Sequence, residues 1–162
     1  EHYKNFSRLP DPVPGRVNIS EFFEGLIHLF IEDTRVQGIR METEIAEPGL
    51  AIRADQKLLE QAFINLITNA IEALFNQEDG IIRLLANREE KHQICLQVSD
   101  NGPGIPEENR PQVFIPFFTT KRGGSGIGMS IVKKIVVMSG GTIELGLRQE
   151  RGTALIIKLP EY

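Results

Sequence analysis

Residues 100–130 read DNGPGIPEENRPQVFIPFFTTKRGGSGIGMS, and the rest of the chain is organised around them. Asp100 is followed by Gly102 and Gly104, then by a connector rich in proline and phenylalanine. Gly124, Gly126 and Gly128 then open an apolar periodic run, IGMSIVKKIVVMSG. Glycine allows tight turns and close approach of backbone to a ligand. A helix beginning at Ile127 turns its first free N–H groups and the positive end of its dipole toward whatever the glycines expose, which suits phosphate. Two better-known phosphate motifs are excluded. A dinucleotide fingerprint would need glycine where Met129 stands and an apolar strand where polar, basic Thr119–Gly123 lies. A P-loop would need Lys-Ser or Lys-Thr after the glycines, and neither follows.

Working outward, GIIRLLANREEKHQICLQVSD predicts a hairpin of strands Ile81–Asn87 and Gln93–Ser99, so Asp100 ends a core strand just before the first glycine turn. Upstream of it, Asp55 predicts the cap of a strong helix, QKLLEQAFINLITNAIEALFNQ. Leu58, Leu59, Ala62, Phe63, Leu66, Ile67, Ala70 and Leu74 cover its broad apolar face. Asn65, Asn69 and Glu72 fall at i, i+4 and i+7, one polar stripe beside that face. Asparagine is a mediocre helix former, and two in register at the edge of the core point to a polar site. Further upstream, Asn18 or Ser20 caps a helix whose Phe22, Phe23, Leu26, Ile27, Phe30 and Ile31 recur at helical steps until Gly38. IRMETEIAEP alternates as a half-buried strand, Pro48-Gly49 turns, and LAIRA is a short second strand. Downstream come a helix over Ile127–Met138, a Gly140-Gly141 stop and strands Thr142–Leu147 and Thr153–Leu159. Mixed helices and strands with hairpins predominating predict an α+β, two-layer α/β sandwich. The loop 101–125 is too long for a plain connection and rich enough in glycine and proline to predict a mobile lid.

With 162 residues, 41% hydrophobic and 25% charged, the chain has room for one ordinary domain with a proper core. A net charge of −4 gives no support to a nucleic-acid surface. One cysteine, Cys95, excludes an internal disulfide, and His2, His28 and His92 show no metal-ligand spacing. No apolar run is long enough to span a bilayer. The opening EHYKNFSRLPDPVPGR, without Met and with three prolines, reads as the end of a preceding helix and a linker, that is, a piece of something longer.

The chemistry assembles from these parts. Carboxamides are weak magnesium ligands, so the Asn stripe suits a metal delivered by substrate phosphates and still carrying water. Asp100 can accept from an exocyclic amine, which adenine offers at its six-position where guanine offers an acceptor. The glycine turn and helix start supply N–H groups for phosphate, and Lys121 adds a point charge. The sum is an ATP site.

At this point the chain resembles the ATP-binding catalytic domain of bacterial sensor histidine kinases, Bergerat-fold relatives of the gyrase, mismatch-repair and heat-shock ATPases. QAFINLITNAIEA resembles the asparagine motif, DNGPGIP the first glycine motif, VFIPFFTTK the phenylalanine motif, GGSGIGMSIVKKIV the second glycine motif and RGTALIIKLP the closing strand, all in order. IPFFTTK with NAIEA is most similar to kinases of the nitrogen-regulation type. The resemblance covers residues 17–162 and implies a mixed, mostly antiparallel sheet on three helices with a long ATP lid. Residues 1–16 would then end the phosphoacceptor and dimerisation region, which FSRLPDP resembles.

It further implies that Asn69 ligates Mg2+ and that Asn65 supports metal and phosphates. Asp100, with Thr153 beside it, would bind the adenine amine. Gly102 and Gly104 would shape the base pocket, with Ala73, Ile105, Phe118 and Thr120 also around the nucleotide. Lys121 would reach phosphate, and Gly124, Ser125, Gly126, Ile127, Gly128 and Met129 would wrap the triphosphate. Asn65 and Lys121 are the candidate catalytic residues. Glu72 departs from members with a basic residue there. The implied role is a cytoplasmic domain that phosphorylates a histidine on a dimerisation domain, ahead of a response regulator, within a parent protein that can be membrane-anchored. No phosphoacceptor motif occurs in these 162 residues. Two other readings stay open: an ATP hydrolase of the same superfamily, and an ATP-gated interaction module. Hydrolases of the superfamily carry a glutamate four residues before the metal-binding asparagine, where this chain has Asn65; Asn65→Glu is expected to raise hydrolysis.

Overall fold

A computed structural model describes residues 8–147 and 151–162. His2 and the first two residues of FSRLPDP lie outside the described residues. The chain runs β1 (Gly15–Asn18), α1 (Ile19–Gln37), β2 (Arg40–Ile45), β3 (Ala51–Ala54), α2 (Gln56–Ala73), β4 (Ile81–Glu89) and β5 (Gln93–Asp100). A short 3-10 helix (Glu107–Gln112), α3 (Gly128–Met138), β6 (Thr142–Leu145) and β7 (Thr153–Pro160) complete it.

Five strands form one mixed sheet in the order β2-β4-β5-β7-β6. Only β2–β4 is parallel; the other neighbours are antiparallel. The helices cover one face. From β4, β5 and β7 that face receives Ile82, Leu84, Ile94, Leu96, Val98, Leu155, Ile157 and Leu159, which interlock with Phe23, Phe63, Leu66, Ile67, Val132 and Val136 of the helices. Phe22 and Phe63 meet edge to face with centroids 5.1 Å apart, joining α1 to α2. The strands alternate, so Arg83, Gln97 and Lys158 stand on the opposite face, giving two layers. Cys95 is buried on that second face, where burial pushes its thiol pKa up.

The helix ends form for the reasons expected. Asn18 Oδ1 accepts the Glu21 N–H at 3.1 Å, and Asp55 Oδ1 accepts the Leu58 N–H at 3.1 Å. Gly38 closes α1 in the left-handed region at φ 69°. The seven expected apolar residues within α2 are buried, as is Leu74 just past its end; the helix stops at Ala73, four residues short of the expected Gln77.

Some local expectations differ from the structure. Ile31 is 50% exposed, because the core-facing arc of α1 is set by Phe22, Phe23, Leu26 and Phe30. The turn at Pro48-Gly49 does not close a β2–β3 hairpin. Instead β3 pairs antiparallel with β1 in a separate two-stranded sheet, so Gly15 and Arg16, read as linker, begin a strand. β6 ends at Leu145, two residues earlier than expected.

Candidate nucleotide site

The site lies along α2. Asn65 and Asn69 are half-buried and Glu72 is exposed, so the stripe runs along the rim of the core. The second glycine motif comes to it from across the molecule. α3 packs on α2, and a Cβ added at Gly128 would stand 3.7 Å from Asn65 Oδ1. No side-chain hydrogen bond caps α3, so the helix start faces Asn65 uncapped. Lys121 reaches the stripe as well: its Nζ donates to Asn69 Oδ1 at 2.8 Å and to the Glu72 carboxylate. A cation therefore already rests on the carboxamide oxygen of Asn69 beside a carboxylate. That is an oxygen donor set suited to a hard divalent ion, and these residues fit magnesium.

One turn further along, the same helix meets Asp100. Ala73 is four residues past Asn69, a rise of about 6 Å. A Cβ on Gly102 would lie 3.3 Å from the Ala73 carbonyl and 2.9 Å from Asp100 Oδ1, so the first glycine turn is pressed against the last turn of α2. Asp100 Oδ1 accepts the Gly102 N–H at 2.9 Å. Across the sheet Asp100 is in register with Thr153 of β7. Burial raises the Asp100 pKa, against the pull of the Gly102 and Thr153 N–H groups.

Three glycines around the site are required by geometry. Gly104, at φ 80°, has the Gly152 carbonyl 3.0 Å from where its Cβ would be. Gly152, at φ 91°, has no room for a Cβ at all, which would overlap the Asp100 carbonyl oxygen. Gly126, at φ 70°, packs on the Phe117 backbone, and its carbonyl accepts the Phe117 N–H at 2.8 Å.

That last bond divides the long loop. Residues before it are anchored: Arg110 donates to the Gly146 carbonyl at 2.5 Å, and Lys133 lies 5.6 Å from the centroid of the Phe114 ring. Phe117 itself sits at φ 68°, which is unusual for a bulky residue. Residues 119–125 form a separate tip, in which Lys121 N–H donates to Thr119 Oγ1 at 3.0 Å and Gly124 N–H to the Lys121 carbonyl at 3.1 Å.

Of the expected site residues, the structure thus gathers Asn65, Asn69, Lys121 and Gly128 at one end, and Ala73, Asp100, Gly102, Gly104 and Thr153 at the other. Ile105, Phe118, Ile127 and Met129 are half-buried on the segments between, while Thr120, Gly124 and Ser125 stand exposed on the tip. His28 and His92 are exposed and lie outside both groups. Sequence reasoning read Gly152 only as part of the closing-strand motif, without a site role, and gave Asn101 none. The glycine before the Thr153 strand was the available signal for the first; for the second there was none beyond its place after Asp100. The pairing of Lys121 with Glu72 joins residues 49 apart and has no sequence signature.

Comparison with known proteins agrees with this geometry. Residues 54–162 match the family described as histidine kinase-, DNA gyrase B- and HSP90-like ATPase. The chain is 37% identical over 147 residues to the C4-dicarboxylate transport sensor protein DctB of Rhizobium meliloti (strain 1021), covering 90% of this chain and 23% of that protein. It is 39% identical over 129 residues to the sensory histidine kinase/phosphatase NtrB of Rhizobium leguminosarum bv. phaseoli, covering 71% of this chain and 34% of NtrB. The chain thus spans about a quarter to a third of these curated relatives. The nucleotide-free catalytic domain of histidine kinase ThkA superposes with a TM-score of 0.82 at 34% identity, over 92% of this chain and 96% of that one. ThkA solved in complex with the response regulator TrrA superposes at 0.83 and 30% identity, over 99% of this chain and 46% of that one. The chain belongs to the histidine kinase-, DNA gyrase B- and HSP90-like ATPase family, as an ATP-binding catalytic domain of the sensor histidine kinase type.

Proposed function

We propose that this domain holds Mg-ATP along α2 and presents its γ-phosphate to a histidine on a separate dimerisation domain of the same protein, in two-component signalling. One observation carries the reading: a single helix has the first glycine turn, whose Gly102 N–H is held by Asp100, against its last residue Ala73, and the glycine-opened start of α3 beside Asn65. Asp100 accepts from the adenine amine with Thr153 alongside, over a floor of Ala73, Gly102 and Gly104. Ile105, Phe118 and Thr120 flank the nucleotide. The uncapped start of α3, with Gly124 to Met129, donates N–H groups to the phosphates. Asn69, with phosphate and water oxygens, would hold magnesium, which supplies charge neutralisation at the transferring group. Lys121 leaves Glu72 for phosphate, and Asn65 orients the phosphate end. The attacking imidazole forms the new P–N bond as ADP departs, so the domain contributes positioning and electrostatics. Asn65 has no carboxylate with which to activate water, which favours transfer over hydrolysis. ThkA was solved with a response regulator, and we infer such a regulator as the downstream partner here.

Calorimetric titration with a non-hydrolysable ATP analogue and its GTP counterpart, each with and without magnesium, tests the site. Magnesium-strengthened binding of the adenine nucleotide alone, lost in Asp100→Ala, is expected. Folded protein that binds neither would sink the reading. Transfer is tested by labelled phosphate appearing on the histidine of the dimerisation domain when the whole protein is assayed.

A further inference from the structure

The residue after Asp100 makes bonds that a local turn does not need. Asn101 Oδ1 accepts the Ile81 N–H at 2.7 Å, and its Nδ2 donates to the Asp79 carbonyl at 2.8 Å. Its backbone N–H donates to the Ile81 carbonyl at 3.3 Å, and its carbonyl accepts Gln77 Nε2 at 3.1 Å. An ordinary Asx turn closes on residues one or two positions away. Here both side-chain bonds and both backbone bonds go to residues 77–81, 20 to 24 positions back along the chain.

Those five residues connect α2 to β4. Gln77 is itself tied to α2 through its N–H to the Leu74 carbonyl at 3.0 Å. Asp79 is gripped from the other side by Arg151, at 3.3 Å, next to the Gly152 that abuts the Asp100 carbonyl. Asn101 is therefore the point where the strand end carrying Asp100 is fastened to the outgoing end of the helix that carries Asn65 and Asn69.

Resting on the nucleotide-site reading above, we propose that Asn101 is a positioning residue that sets base selectivity by fixing where the Asp100 carboxylate stands. Adenine offers a carboxylate one exocyclic donor, on its six-position, where guanine has an acceptor. Guanine has donors of its own, N1–H and the two-amino group, displaced along the same edge. A carboxylate held in one place accepts from adenine and meets the guanine acceptor unfavourably. One free to shift by an ångström or two reaches the guanine donors instead. Selectivity thus depends on the acid being immobile as well as on its being an acid, and the Asn101 bonds remove that freedom.

The test measures the dissociation constants of the non-hydrolysable ATP and GTP analogues, with the Tm of the nucleotide-free protein, for wild type, Asn101→Ala, Asn101→Asp and Gln77→Ala. Asn101→Ala is expected to weaken the adenine nucleotide and to shrink the adenine-to-guanine preference at least tenfold. Asn101→Asp keeps the acceptor for the Ile81 N–H and loses the donor to the Asp79 carbonyl, so its preference falls between the two. Gln77→Ala, which loses one bond, moves the ratio least. A purely structural role would lower Tm and weaken both nucleotides alike, leaving the ratio untouched. That outcome in folded Asn101→Ala overturns the proposal while the nucleotide site stands. If Asn101→Ala does not fold, an unchanged ratio in Asn101→Asp overturns it equally. Wild-type protein that binds neither nucleotide removes the site and this inference together.

Discussion

Asp100 is half-buried at the end of a core strand, and burial holds its pKa above 3.8, the ordinary value. A carboxyl whose folded pKa is raised binds its proton more tightly folded than unfolded. Its charge therefore costs stability as pH rises from the ordinary value through the folded one, and the full cost persists above that. Asp100→Asn is expected to raise Tm at pH 7, with the gain vanishing below the ordinary carboxylate value; thermal melts across pH 3–8 check it. The same variant replaces an anionic acceptor with a carboxamide and should weaken the adenine nucleotide by about 1.5–3 kcal/mol, roughly ten- to a hundredfold. At the other end, Lys121 rests on Glu72 and Asn69. Both partners of that ion pair are about half exposed, so it is worth roughly 0.2–1 kcal/mol. Glu72→Gln frees the lysine for phosphate and should tighten metal-free nucleotide binding by up to about fivefold, read by calorimetry without magnesium.

At the scale of elements, β7 is preceded by a glycine that the neighbouring strand demands. Gly152 is at φ 91°, and a methyl group there would collide with the carbonyl of Asp100. Gly152→Ala must strain its own backbone, by about 1–3 kcal/mol, and push Asp100 outward. A lower Tm and loss of adenine-nucleotide binding are expected together; unchanged affinity in a destabilised protein would show that the β5–β7 junction does not hold the acid. The elements themselves were largely legible. α2 was readable because eight apolar residues at helical spacing follow an Asp cap, and β4–β5 because two alternating runs flank a charged turn. β1 was not, since GRVN follows three prolines and is too short to show a period; only pairing with β3 makes it a strand. Ile31 misled because helical spacing identifies an apolar arc without fixing where its edge meets solvent.

Across the whole molecule, Asp55 joins two functions. One oxygen caps α2 through Leu58, and the other accepts the Val13 N–H at 2.8 Å, the single N–H available in Pro12-Val13-Pro14. The segment entering the domain is thereby tied to the start of the helix that carries the site. Both donors hold the Asp55 carboxyl below its usual value, Val13 first. Its contribution to stability is thus present above pH 3.8 and lost as pH falls through that lowered value. Asp55→Ala should cost about 0.5–2 kcal/mol through the lost cap. It should also unprotect the Val13 amide to hydrogen exchange, although the Val13 residue is 79% exposed. An amide as protected as in wild type would show that the tie is not made in solution.

Five ordered motifs, the two capping acids or amides and the apolar periodicities are properties of short stretches. Local propensity and spacing therefore carry them, and with them the fold class and the family. What lay beyond the sequence is which distant residues share a surface. Gly128 against Asn65, Lys121 on Glu72, Gly152 against Asp100 and Asn101 fastened to residues 77–81 are all contacts between residues 20 or more positions apart. Those contacts depend on the strand order and on α3 packing against α2. Burial of the shared core decides both, and no single stretch of the chain encodes that burial alone.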